Sequence, residues 1–267
     1  MSVVRVMSKV MEAMTRAAQV AGAGLRKDFE RARELAVTEK SASDFVSNAD
    51  LASQALIAEE LRRGFPEALL VLEEDRSSHA LRGDLEFFVD PLDGTTNFLH
   101  ALPHFSISIA CQRAGELVAG VVYDVVKDEL FAAERGAGAW LGERRLSVTN
   151  EARLECAVIG TGIPHRGRPA HAAYLSVLPR IMADVAGIRR LGSAALDLAY
   201  VAAGRFDGFF ESHLSPWDIA AGVVLVREAG GVVVQPNGRA FELDAGHVLA
   251  ANAALVEPLR ERLNGLV

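Results

Sequence analysis

The sequence predicts a layered mixed fold, an α+β half followed by an α/β half, on three observations. Two helical stretches open the chain, apolar residues fall on alternate positions between 105 and 147, and after Asn150 short apolar runs alternate with helical ones. The boundary is placed at Asn150, dividing the chain into 1–150 and 151–267. With 267 residues, half of them hydrophobic, the chain can bury a substantial core as one large domain or two small ones.

Residues 3–29 show a helical period, and a second helical stretch leaves the Lys40-to-Asp50 loop and reaches Arg63 before Gly64-Phe65-Pro66 stops it. Residues 68–71 read as a strand, and Phe87-Phe88-Val89 as the end of a buried one. Ile107, Ile109 and Cys111 alternate with polar or small residues; strands at 118–123 and 129–132 follow, after turns such as Ala114-Gly115-Glu116. The glycines of 136–142 are one residue off a dinucleotide-loop spacing and sit among strands, so the segment reads as a hairpin turn. Beyond Asn150, strands are predicted at 157–159, 188–190, 208–210 and 232–234, with helices at 171–183, 193–203 and 216–229 and a last helix ending at Leu263.

Several function classes are disfavoured. A formal charge of −7 opposes nonspecific nucleic-acid binding, which depends on Lys and Arg neutralising phosphates. Every long apolar region is broken by charge or glycine, so no membrane span is expected. Arg5, Lys9, Glu12 and Arg16 recur at helical intervals where a signal peptide would be uninterrupted, which predicts a cytoplasmic protein. Cys111 and Cys156, both in apolar runs, are expected to be reduced thiols, and two cysteines cannot build a zinc cage.

The chemistry concentrates at Asp90-Pro91-Leu92-Asp93-Gly94-Thr95-Thr96-Asn97-Phe98, where two carboxylates and two hydroxyls flank a glycine after an apolar strand. Pro91 stiffens the exit and Gly94 lets backbone N–H groups approach an anion. Carboxylate oxygens suit Mg²⁺ shared with a substrate phosphate, so phosphoryl transfer to water is the chemistry expected. The same residue types also compose ordinary polar turns. Three more acidic clusters sit at element boundaries: Ser43 through Asp50, Leu72-Glu73-Glu74-Asp75, and Pro216-Trp217-Asp218. Taken singly, these read more readily as helix caps or, for Glu73 to Asp75, as a solvated turn.

Together with Lys40, Pro103 through Ala110, Arg189-Arg190-Leu191-Gly192-Ser193-Ala194-Ala195-Leu196-Asp197, Phe209-Phe210-Glu211 and Arg227 through Gly231, these clusters resemble the inositol monophosphatase family, most closely its bacterial extragenic-suppressor branch. The resemblance covers nearly the whole chain. It implies an α-β-α-β-α sandwich of the inositol monophosphatase and fructose bisphosphatase type. It implies one Mg²⁺ on Glu73, Asp90 and the Leu92 carbonyl, and a second on Asp90, Asp93 and Asp218. Asp50 and Thr95, with Glu73, are implied to activate water, while the Gly94 and Thr95 N–H groups hold phosphate. Glu211, Asp93 and the Gly192-Ser193-Ala194 backbone are implied to contact hydroxyls of a small phosphorylated polyol. Glu211 also reads as a strand-end surface acid, and Leu72 departs from the small residue the family often places before Glu73.

The preferred activity is therefore hydrolysis of inositol 1-phosphate or a related polyol monophosphate. Bisphosphate nucleotidase, fructose bisphosphatase and histidinol phosphatase share the acidic core, but Thr95-Thr96-Asn97-Phe98 looks more like the inositol branch. Lithium sensitivity and a homodimer are further implications of the resemblance. A different class of function also follows from that branch: contact with RNA polymerase or an antitermination complex, through Arg189 and Arg190 if these do not instead close the active-site half. His100 and His104 are expected to be packing or rim residues, and Arg166-Gly167-Arg168 a solvated loop.

Overall fold

The computed structural model describes residues 7–30, 37–39, 45–75, 77, 83–164 and 169–267. Val3, Lys40, Asp44 and the Arg166-Gly167-Arg168 loop lie outside these. Helix α1 (Lys9–Phe29) begins at a Ser8 cap whose side chain accepts the Met11 N–H at 3.2 Å. Its buried residues Met11, Met14, Ala18, Ala21 and Leu25 recur every three or four positions, which builds one apolar stripe. Strands β1 (Val37–Glu39) and β2 (Phe45–Ser47) pair antiparallel, and α2 (Asn48–Gly64) follows directly.

The larger sheet runs in chain order: β3 (Leu69–Leu72), β4 (Leu85–Asp93), β5 (Ser106–Arg113), β6 (Glu116–Asp124), β7 (Glu129–Glu134), β8 (Gly138–Leu141) and β9 (Arg144–Arg145). Only the β3 and β4 pair is parallel. The short helix α3 (Thr95–Leu99) lies between β4 and β5. In the second half come β10 (Val158–Thr161), α4 (His171–Asp184), β11 (Gly187–Arg189), α5 (Ala194–Ala202), β12 (Gly208–Glu211), α6 (Pro216–Glu228), β13 (Val232–Val234), β14 (Val248–Ala251) and α7 (Val256–Arg262). Their strands form a five-stranded sheet in the order β11-β10-β12-β14-β13, with β10 parallel to both neighbours and β14 antiparallel to both of its own.

Side-chain alternation stacks these elements into five layers. On β4 and β5, Phe87, Val89, Ile107, Ile109 and Cys111 pack with α1 and α2, while Phe88 and Ala110 face the opposite way, into a core shared with α5 and α6. The second sheet repeats the pattern. Phe209, Val248 and Ala250 join that central core, whereas Phe210, Leu249 and Ala251 pack with Tyr174, Val177 and Ile181 of α4 and Leu259 of α7. Because α5 and α6 lie between two sheets, all nine residues of α5 are buried, and α6 is buried from Ile219 through Val226. The result is the α-β-α-β-α sandwich expected. No helix among the described residues is long and apolar enough to cross a membrane.

The differences from expectation are local. Strand β4 does not end at Val89 but continues through Asp93. The 136–142 segment is not one turn: β8 forms inside it, with turns on either side. Strand β14 was not expected, because Val248-Leu249-Ala250-Ala251 is too short for periodicity to distinguish a buried strand from a helix start. Cys156 lies in a 3₁₀ turn instead of a strand; both cysteines are free thiols.

His100 is exposed, but His104 packs edge-on to Tyr200 with ring centroids 6.0 Å apart, and its Nε2 is buried without a hydrogen-bond partner. Burial, with Lys127 adding and Asp124 opposing, moves this imidazole from its ordinary 6.5 down to about 4. The unfolded chain then binds the extra proton first, so the His104 contribution to stability is complete above pH 6.5 and is lost as the pH falls toward 4. In thermal melts across this range, His104→Gln should flatten the acid-side loss relative to wild type. Parallel curves would show that His104 does not carry it.

Candidate active site

The end of β4 is an irregular strand, and the irregularity makes the site. Asp90 pairs in register with Ser108 and Asp93 with Ser106, while the ladder between them is broken around Pro91 and Leu92. A proline has no N–H to give a ladder, and a bulge is where a sheet tolerates one. The freed Pro91 carbonyl accepts Ser53 Oγ of α2 at 2.9 Å, and the Leu92 N–H turns back to Asp90 Oδ1 at 3.0 Å.

The two serines opposite these aspartates hold the helices of the other half. Ser108 Oγ donates to the Trp217 carbonyl at 3.0 Å, and Ser106 Oγ lies 3.2 Å from Ser193 Oγ. Residues two apart on β5 thus bring the N-termini of α6 and α5 to the end of β4. At α6, Asp218 is the third helical residue, and its Oδ2 accepts the Ser215 N–H at 2.7 Å in a capping box. At α5, Asp93 Oδ2 accepts Ser193 Oγ at 2.5 Å and the Ala195 N–H at 2.9 Å.

Carboxylates converge on Asp90, which is 2 % exposed. Burial pushes its carboxyl well above the ordinary range, and Glu73, Asp93, Asp218 and Asp50 add to the shift in that order. Asp93 is raised to about 6 by burial, against the opposing hydrogen bonds from Ser193, Ala195 and Ala194. Asp50 is fully buried in the first turn of α2, and Glu73 follows β3 with its N–H donated to Val89 at 3.1 Å. Oxygens of Asp50, Glu73 and Glu74 all lie within 4.8 Å of one another. Like charges are costly to bury unless a cation shares the site, and an all-oxygen donor set suits a hard divalent ion.

Gly94 takes φ +96°, a left-handed conformation that frees the turn into α3. Thr95 opens that helix, with Oγ1 3.0 Å from the Leu92 carbonyl and 3.5 Å from Asp50 Oδ2. Glu211 stands apart from the groups that act on Asp90. It ends β12 and lines a cavity with Gly162, Tyr174, Arg190, Ser212 and His213. Its carboxylate sits where a β-carbon on Gly162 would fall. Arg190 lines this cavity and lies against Gly192, but it is exposed, as is Arg189, whose Nη1 donates to the Ile188 carbonyl at 2.9 Å.

Sequence reasoning gave no role to four contributors. Glu74 joins the carboxylate group around Asp50 and Glu73, and its N–H is held by Gln54 Oε1 at 3.0 Å. Ser106 and Ser108 carry no signal beyond their two-residue spacing. Asp197 is 1 % exposed, raised well above the ordinary range by burial, then by Glu211 and Asp93, with Arg190 opposing.

The acidic turn at the meeting of the two halves, with the family and relatives the chain matches, places it among the phosphoric monoester hydrolases. The model of the inositol monophosphatase family matches residues 6–265, and the chain belongs to that family. It is 48% identical over 254 residues to the inositol-1-monophosphatase of Rhizobium meliloti (strain 1021), covering 95% of this chain and 96% of that one. It is 42% identical over 257 residues to the Nus factor SuhB of Pasteurella multocida (strain Pm70), covering 96% of each. The crystal structure of the extragenic suppressor protein suhB from Bartonella henselae superposes with a TM-score of 0.91 at 45% identity, covering 96% of this chain and 99% of that one.

Proposed function

We propose that the chain hydrolyses inositol 1-phosphate or a related small polyol monophosphate, with Mg²⁺ held by the carboxylates gathered around Asp90. The observation that carries this reading is the action of Glu73, Asp93, Asp218 and Asp50 on one buried aspartate at a glycine turn. In this reading Glu73, Asp90 and the Leu92 carbonyl would hold one ion, and Asp90, Asp93 and Asp218 would hold a second. When bound, such ions polarise the phosphoryl group, lower the pKa of water and neutralise the leaving alkoxide.

The protein's own groups do the rest. Gly94 and Thr95 present backbone N–H groups to phosphate oxygens. Asp50, beside the Thr95 hydroxyl, orients the attacking water and accepts its proton, with Glu73 assisting. Asp93 has one oxygen engaged by Ser193 and Ala195, which fixes the direction of the other. Glu211 and the Gly192-Ser193-Ala194 backbone accept or donate hydrogen bonds at the hydroxyls of the leaving alcohol. The halves 1–150 and 151–267 then divide the work, the first supplying all proposed metal ligands except Asp218, the second the polyol contacts other than Asp93. The protein is proposed to act in the cytoplasm as a homodimer.

Glu211→Gln tests the substrate class, because it keeps the shape but weakens a hydroxyl acceptor. Steady-state kinetics should show kcat/KM for inositol 1-phosphate falling about ten- to a hundred-fold, with an aryl phosphate little changed. Equal losses on both would make Glu211 structural. A second reading, contact with transcription machinery, is supported by relatives named Nus factor SuhB. Arg189 and Arg190 are both exposed, and of the two Arg190 also lines the Glu211 cavity, which leaves Arg189 as the residue with no second role in this reading.

A further inference from the structure

Of the cross-links between the halves beside the proposed phosphate turn, two reach the segment from Leu191 to Ala195 from the turn itself, and they differ in charge. The charged link runs from Asp93 to Ser193 and Ala195. The neutral one is Asn97 of α3, a residue 7 % exposed. Its Nδ2 donates to the His104 carbonyl at 2.7 Å and to the Leu191 carbonyl at 2.8 Å, so a single amide group is committed to two segments. One acceptor is 7 residues away in the chain and the other 94.

The same segments enclose Gly94. A β-carbon there would lie 3.2 Å from the His104 carbonyl oxygen and 3.3 Å from that of Gly192. From the other side, a β-carbon on Gly192, itself at φ +90°, would come within 3.2 Å of Asn97 Nδ2. The turn proposed to hold phosphate and the turn proposed to meet the polyol therefore share one wall, and Asn97 ties both sides of it together. We infer that Asn97 is a positioning residue: it sets the spacing between the Gly94 turn and the Leu191-to-Ala194 turn, and so the fit of the leaving alcohol. This rests on the polyol phosphatase reading.

Two variants test the clamp. Asn97→Ala removes both donated bonds. Asn97→Ser keeps a polar group but is too short to reach both carbonyls. Displacements near 1 Å can cost about 10²-fold in rate, so each variant should lose about ten- to a hundred-fold in kcat/KM for inositol 1-phosphate. An aryl phosphate, which makes no hydroxyl contacts, should lose less than about three-fold, and the Mg²⁺ concentration for half-maximal aryl phosphate hydrolysis should stay unchanged. Equal losses on both substrates in variants with native circular dichroism, or no loss on either, would overturn the assignment. If Asn97→Ala does not fold, Asn97→Ser decides by the same comparison. Failure of the underlying reading looks different, because the wild-type protein would then show no preference for inositol 1-phosphate over the aryl ester.

Discussion

Replacing Asp90 by Asn is expected to abolish useful turnover while making the metal-free protein more stable. A single oxyanion-hole donor is worth about 10²- to 10³-fold, and Asp90 is assigned to two ions, so kcat/KM should fall by roughly 10³-fold or more. The stability effect has the opposite sign. Asp90 is raised above its ordinary 3.8 by burial and by four neighbouring carboxylates. A carboxyl raised in the folded state binds its proton more tightly there than in the unfolded chain. In the metal-free protein its contribution is thus favourable at low pH and is lost as the pH rises through the raised value. At neutral pH, with chelator present, Asp90→Asn should therefore melt above wild type, and added Mg²⁺ should narrow or reverse the gap. A variant that loses activity and stability together in chelator would point to misfolding. Pull-down of RNA polymerase, if the second reading holds, should be indifferent to this substitution.

Asp50→Asn should act on a different parameter. Asp50 is fully buried and 3.5 Å from the Thr95 hydroxyl, in the position assigned to the attacking water's proton acceptor. General bases contribute about 10²- to 10⁴-fold, and kcat should fall within that range. The Mg²⁺ dependence should barely move. Its oxygens also lie within 4.8 Å of those of Glu73 and Glu74, which makes the contrast informative. A parallel rise in the Mg²⁺ requirement would transfer Asp50 from the water to the metal set.

Much of this was legible in the chain, for reasons that differ by level. The layers followed from alternation: Ile107, Ile109 and Cys111 face one core while Ala110 faces the other, and a period of two can be counted in a sequence. Strand β14 escaped because Val248 to Ala251 is four residues of small and branched apolar side chains, and its place is set only by pairing with β12 and β13. Asp90, Asp93 and Asp218 were visible as acids at element boundaries. Their support was not. That Ser108 would reach Trp217, 109 residues on, or Asn97 reach Leu191, is a consequence of tertiary closure that no local pattern encodes. Arg190 keeps both of the roles its place at a strand end suggested, since it is exposed and also lines the cavity of Glu211.

The central claim, that the carboxylates around Asp90 work through a bound divalent ion, is tested most directly by inositol 1-phosphate hydrolysis after chelation. Wild-type protein stripped of metal should be inactive and should regain full turnover on titration with Mg²⁺, while Asp90→Asn treated identically should not recover. Turnover that survives stripping, or that Mg²⁺ restores equally in the Asp90→Asn variant, would contradict it.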